Sequence, residues 1–519
     1  MEKQAKKKSF HGNNLRVTST HFDSDSDISD TCSQDSNNFS DAFSSEDYEV
    51  DDDGLVSLTK SSSLDPQNWP FKQRIQYTIL YAVTTFLAQL NSTTMSSDYF
   101  IADMSYLYNI GHECSMLATT LYVLGIAVGP MVFAPVSEMY GRKMGVLVPL
   151  LISGVFSLVT SISYNVPSMM VTRFLSGLFA GAPIVSSGGV MSDLWTPQAR
   201  GGALAFYACL VSAGALLGPT IGSLLIHSNP SAQSWRIPQW LCGLAELAWF
   251  VISFCVVKET YRPVVESNLA KSLRLTERTW KLHSKHDIWT FSLTELIHVH
   301  FFRPFAMLLT PIVFLMALYA SYVFGLFYLM ITNVPVAFNL CYGWTGTVST
   351  LPNIPFFMGV LIGNGINMFW SKRYGIYIDK HDGKALPEER LPVMMITQWL
   401  MPIGIFLFGW SSWKSIHWIV PCIGVAMMGT GYITIFQGCL NYLVDCFPHY
   451  AASAIAANTF LRSIFAATFP LFAKQLFTNL GVHWGASVIG FISIGMLPIP
   501  FYFFKNGAQI RIKNPYNLG

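Results

Sequence analysis

Pro304-Phe-Ala-Met-Leu-Leu-Thr-Pro-Ile-Val-Phe-Leu-Met-Ala-Leu-Tyr-Ala-Ser-Tyr-Val-Phe-Gly-Leu-Phe-Tyr-Leu-Met330 contains no Asp, Glu, Lys or Arg. A helix rises 1.5 Å per residue, so about 20 apolar residues cross the hydrocarbon core of a bilayer. This stretch is long enough to do so. Comparable runs lie near 77–97, 114–137, 145–163, 169–191, 204–226, 238–257, 347–371, 393–411, 416–441, 452–478 and 484–504. Composition agrees: of 519 residues, 51% are hydrophobic and 14% aromatic, and the 12% that are charged amount to about half the share in soluble domains. The expected fold is an all-α polytopic membrane protein with twelve transmembrane helices.

Charge sets the orientation and the division. Loops 1-2, 3-4, 5-6, 7-8, 9-10 and 11-12 hold Arg236, Lys414 and Lys474 as their basic residues, whereas the opposite loops and flanks hold 21, among them Lys72, Arg74, Arg142 and Lys143. The positive-inside rule then puts both termini in the cytoplasm. The longest connection divides the chain into an N-terminal six-helix half (71–257), a central cytoplasmic loop (258–303), a C-terminal six-helix half (304–504) and a short C-terminal tail (505–519). A repeat supports this division. Asp193-Leu-Trp-Thr-Pro follows span 4 and Asp445-Cys-Phe-Pro follows span 10, each leading into a span rich in small residues, as expected of halves related along the membrane normal.

Residues 1–70 read as an acidic, Ser-rich cytoplasmic tail, too poor in apolar residues to fold alone. They hold 14 of the chain's 30 acidic residues, and Ser24, Ser26, Ser29 and Ser44 stand beside acids where an acid-directed kinase could act. The first apolar run starts near Tyr77, so no signal peptide is expected. Nine scattered cysteines do not suit a disulfide scaffold or zinc module. A net charge of +2 without a basic stripe does not suit nucleic acid. With no HExxH motif or glycine-rich phosphate loop, neither an enzyme nor a cofactor or metal is expected.

Charges inside a bilayer cost about 2.5–3.5 kcal/mol each on insertion scales and mark functional positions or tight packing. Glu246 in span 6 is the carboxylate at mid-depth, where a cation could displace a proton; burial between helices for packing is the other reading. Arg173 in span 4 and Arg462 in span 11 stay charged, so each needs carbonyls, a carboxylate, a substrate anion or water. Gln89 and Asn91 of span 1 could line a polar route or bond between helices. Gly214, Gly218 and Gly222 lie on one face of span 5 beside Pro219, allowing close backbones and a bend at a moving interface or a static one.

Several motifs resemble the major facilitator superfamily, in particular its fungal twelve-spanner drug:proton antiporters and polyamine exporters. Ala134-Pro-Val-Ser-Glu138-Met-Tyr-Gly141-Arg142-Lys143 is similar to the superfamily's GxLaDrxGRK signature, with Ala134 and Glu138 in place of its first glycine and its aspartate. Asp65-Pro-Gln-Asn-Trp-Pro70, Arg173-Phe-Leu-Ser-Gly177, the run Gly214 to Gly222, Glu388-Glu-Arg-Leu-Pro392 and Ala451 to Phe472 are similar to patterns of that branch. The resemblance implies rocking halves around a site near mid-membrane, with proton entry driving export of drugs, polyamines or other organic cations. It also implies a cytoplasmic gate, in which Glu138 meets the start of span 11 and Arg142 pairs with Asp193. A monomer is expected, in the plasma membrane or else the vacuolar one. A nutrient or siderophore importer and a non-transporting nutrient receptor on the same fold are the alternatives.

Overall fold

Ten helical stretches of the structure, a computed structural model that describes residues 47–196, 199–229, 233–288, 301–380, 386–447, 450–512 and 514, are long and apolar enough to cross a membrane. Two adjustments bring them into agreement with twelve spans. Phe71–Thr93 has the length but is diluted by Lys72, Arg74 and a polar end from Gln89 to Thr93. The sixty-residue stretch Ser453–Ile512 breaks at Gly481, whose φ of 75° is a left-handed conformation that costs glycine nothing. Spans 1–6 are Phe71–Thr93, His112–Tyr140, Arg142–Ser161, Val166–Leu194, Arg200–Ser228 and Ile237–Val256. Spans 7–10 are Pro311–Tyr342, Asn353–Lys380, 387–411 and Ile419–Cys446; spans 11 and 12 lie on either side of Gly481. An even number leaves both chain ends on one side, the terminal face. The other is the distal face.

Span 7 departs from the expected 304–330. Arg303–Leu308 is a separate short helix, and extended Thr310 breaks the chain before Pro311. Span 7 then continues past Met330 because Thr332 and Asn333, which end the apolar run, bond back to Leu329 O at 3.0 and 2.9 Å. Span 8 likewise begins at Asn353, since Thr347–Thr350 is an isolated turn.

Within the first half, span 2 packs on 4, span 3 on 6 and span 1 on 5; in the second, 7 packs on 11, and 8 and 9 on 10. Span 11 meets span 2, and span 8 meets span 5, across the halves. The largest apolar cluster is centred on span 7 and takes in Val123, Ala215 and Leu216 from the first half. The glycine face of span 5 is no part of that seam. A Cβ at Gly214, Gly218 or Gly222 would overlap Phe86, Thr93 or Thr94 of span 1 and its extension, so these glycines set a close contact inside one half.

Residues 47–70 lie within the stretch expected to be an unfolded tail, yet they are folded. Tyr48–Val50 (β1) and Val56–Leu58 (β2) form an antiparallel hairpin. Its apolar residues Val56 and Leu58 pack on Leu269, Ala270 and Leu273 of the helix Arg262–Glu277 and on Leu282. Arg262 donates to Asp65 at 3.1 Å and to Leu58 O at 2.8 Å. The segment lacks a core of its own, and the central loop supplies one. Residues 1–46, with the serines named as kinase targets, lie outside the described residues, as do 289–300 of the central loop.

Candidate substrate and coupling site

Span 1 ends in polar residues because three other spans present polar groups to it. Asn91 Nδ2 donates to Glu246 Oε1 at 2.9 Å and to Ser157 Oγ at 2.7 Å. Its Oδ1 accepts from Arg173 Nη1 at 2.9 Å. Arg173 also donates to Gln239 Oε1, to Ala118 O and to the carbonyls of Asn91 and Ser92, with the Tyr122 ring 4.4 Å from its guanidinium carbon. Arg173, Asn91 and Glu246 are all 0% exposed. One amide therefore separates the buried cation from the buried carboxylate and bonds both. Glu246 Oε2 is buried with no hydrogen-bond partner among the described residues. The sequence named Asn91, Arg173 and Glu246 singly; Gln239 and Ser157 were not singled out.

The seam between halves begins two residues away. Tyr328 of span 7 donates to Gln89 Oε1 at 3.3 Å and lies 3.4 Å from Ser92 Oγ. Tyr328 belongs to an aromatic group from spans 7 and 10: Phe324 lies 5.5 Å from it and 5.6 Å from Phe436, and Phe327 stacks on Tyr432 at 4.5 Å. Arg462 of span 11 points into this group, 4.8 Å from the Phe324 ring centre and 5.2 Å from that of Phe436. Glu246 and Arg462 thus belong to different places: the carboxylate is enclosed in the first half, and the arginine stands at the seam. Further cross-half hydrogen bonds are Asn364 to Cys209, Ser223 with Thr347, and Gln475 to Glu113. The last two lie toward the distal face, where Asp98, His112 and Lys474 border a pocket shared by both halves.

On the terminal face, Arg142 Nε donates to Asp193 Oδ2 at 3.0 Å. Both residues belong to the first half, so this pair does not depend on closure of the halves as expected. Gly141, at φ 92° and ψ 165°, holds a conformation essentially reserved for glycine. The helix it precedes has no capping side chain of its own. Glu259, just after span 6, takes that role by accepting from the backbone N–H of Arg142 and Lys143 at 2.8 and 3.1 Å, where a carboxylate suits the helix dipole. Lys143 lies over the Phe254 ring. Expected contact of Glu138 with the start of span 11 is not among the described hydrogen bonds; its carbonyl instead faces His286 Nε2 of the central loop at 3.4 Å. In the second half Arg390 donates to Asp445 Oδ2 at 2.8 Å. Glu259 and Arg390 could have been found by looking for charges beside helix ends.

The Major Facilitator Superfamily profile matches residues 81–470. Over 459 residues the chain is 38% identical to the major facilitator superfamily multidrug transporter FLU1 of Candida albicans, covering 87% of this chain and 74% of that one. It is 35% identical over 458 residues to the efflux pump bik6 of Gibberella fujikuroi, covering 88% and 93%. Among solved structures, the proton:xylose symporter XylE superposes with a TM-score of 0.58 at 15% identity, over 84% of this chain and 97% of that one.

Proposed function

The chain belongs to the major facilitator superfamily and is a multi-pass membrane transporter, and from that premise we propose that it exports small amphipathic organic molecules by proton-coupled alternating access. The terminal face is cytoplasmic in this reading, as the basic loops indicate, and the plasma membrane is its site. Substrate occupies the seam beside Tyr328 and Arg462, and the coupling proton resides on Glu246. The resemblance implies drugs, polyamines or other organic cations, and Glu246 offered a carboxylate where a cation could displace a proton; its enclosure in the first half removes that second ground for preferring a cation.

One observation carries the reading: span 1 joins the two places. Asn91 bonds the carboxylate that can hold a proton, while Gln89 and Ser92 meet Tyr328 across the seam. Loss or gain of a proton at Glu246 Oε2 leaves Oε1 an acceptor for Asn91 but changes the charge that Asn91 faces, and any shift of Asn91 moves the Gln89 contact on the same helix. The named multidrug transporter and efflux pump among the relatives support export as the direction. The test is efflux from preloaded proteoliposomes with and without an imposed proton gradient, over a panel of anionic, neutral and cationic aromatic compounds. Gradient-dependent efflux is expected. Equal rates with and without the gradient would remove proton coupling.

A further inference from the structure

We propose that Arg462 is the recognition site for an acidic group, so that the transported molecule is an aromatic or similarly flat organic anion. This inference rests on the reading that substrate occupies the seam, and it specifies the charge that reading leaves open.

Arg462 keeps its charge at any working pH, and a cation away from water needs an anion or strong acceptors. Neither is supplied. No salt bridge to Arg462 occurs among the described residues, and its Nε is buried without a hydrogen-bond partner. The mid-depth carboxylate Glu246 is held by Asn91 inside the first half. Around the guanidinium stand Phe324 and Phe436, with Tyr207, Tyr328 and Tyr432 within electrostatic range, all neutral. Arg462 as a whole residue is only partly buried, and the helix that carries it packs on span 2 across the seam between the halves. One turn earlier on the same helical face, Asn458 is 0% exposed and neither of its amide atoms has a partner among the described residues.

An acid group fits this arrangement in two ways. A carboxylate can accept two parallel hydrogen bonds from a guanidinium fork. An aromatic body finds flat faces beside it, since Phe324 and Phe436 stack within 29°, and Tyr432 and Phe436 within 13°. A cationic ligand would instead meet Arg462 as a like charge and compete with it for the faces of Phe324 and Phe436.

Equilibrium binding to the purified full-length protein in nanodiscs, without a pH gradient, tests this with 1-naphthoate, uncharged 1-naphthamide, 1-naphthylmethylammonium and chloride. Naphthoate is expected to bind roughly tenfold or more tightly than naphthamide, the gain of one charge-assisted pair, and the ammonium more weakly than either. Arg462→Gln should abolish the naphthoate-to-naphthamide ratio, and Arg462→Lys should keep part of it. The ratio is internal to each variant and is unaffected by the fraction of protein that folds. A ratio unchanged in Arg462→Gln, tighter binding of the ammonium, or chloride displacing naphthoate at equal concentration would overturn the inference. Naphthoate binding without proton-driven efflux would leave it standing and remove the proposed function; gradient-driven efflux of the ammonium alone would do the reverse.

Discussion

Asp445, 252 residues after Asp193 in the chain, is held by Arg390 at 2.8 Å as Asp193 is held by Arg142 at 3.0 Å. Each half thus ties the end of its fourth span to a basic residue on the terminal face. If the two pairs do the same work, Arg142→Ala and Arg390→Ala each slow transport while inserting normally. Within a half, a double change such as Arg142→Ala with Asp193→Ala should cost less than the sum of its parts, with a coupling of about 0.5–3 kcal/mol. Strictly additive losses in transport rate, corrected for the amount of protein in the membrane, would separate these pairs from the mechanism.

Gly141→Ala puts a methyl group against the Glu259 carboxylate and a side chain in a conformation reserved for glycine. The strain is about 1–3 kcal/mol, and the cap of span 3 is displaced as well. A lower melting temperature in detergent is expected, with Glu259→Gln milder because the amide oxygen still accepts. An unchanged melting temperature for Gly141→Ala would mean that the Glu259 cap does not persist in the protein.

Glu246→Gln retains an acceptor for Asn91 Nδ2 but cannot release a proton at Oε2. Efflux should lose its response to a proton gradient while protein abundance is largely kept. If the pH response of that variant matches the parent, coupling resides elsewhere.

Deleting residues 1–46 leaves both strands of the hairpin, and a normal melting temperature and transport rate are expected. Deletion through Lys60 uncovers Leu269 and Leu273 and removes the backbone acceptor of Arg262, so it should lower stability even when transport persists. Equal melting temperatures for the two truncations would show that the hairpin is not bound to the central loop.

Asp98, the first residue of the short distal helix Asp98–Tyr108, has its carboxyl pushed above the usual range by burial, with Lys474 acting in the opposite direction. When the seam opens and water returns, the ordinary value near 4 is restored. Closing the seam therefore takes up a proton: its stability grows as pH falls towards the ordinary value and is lost as pH rises through the raised one. Spin labels at exposed Tyr106 and Leu480 should show a larger short-distance population at about pH 5 than at pH 7. Asp98→Asn should flatten that response even with His112, Glu113 and Lys474 in place, and an unaltered response would show that Asp98 is not its source.

How far the sequence could be read follows from what each element needs. Spans that are apolar along their whole length were legible, because hydropathy reports them directly. The ends of span 7 were not: Thr332 and Asn333 look like an exit from the membrane until their bonds back to Leu329 are seen. The hairpin was hidden for another reason. Two strands of three residues in an acidic stretch carry almost no pattern, and they become an element only against Leu269 and Leu273, some two hundred residues later. In the candidate site, Arg173, Asn91 and Glu246 stood out as polar residues in apolar surroundings, but no spacing indicates that one amide joins them. Arg462 was equally conspicuous, and only the structure sets it among neutral aromatic rings at the seam.

That hairpin also orders events during synthesis. Leu58 and Arg262 are 204 residues apart in the chain, so at roughly 5–20 residues per second the ribosome delivers the docking helix about 10–40 s after the strands. All six helices of the first half are translated in between. Until then Val56 and Leu58 have nothing to cover them, and chaperones and proteases can act on a nascent chain whose first half has stalled. When the helix arrives and the strands dock, that exposure ends, which makes the contact a mark that the first half has been made.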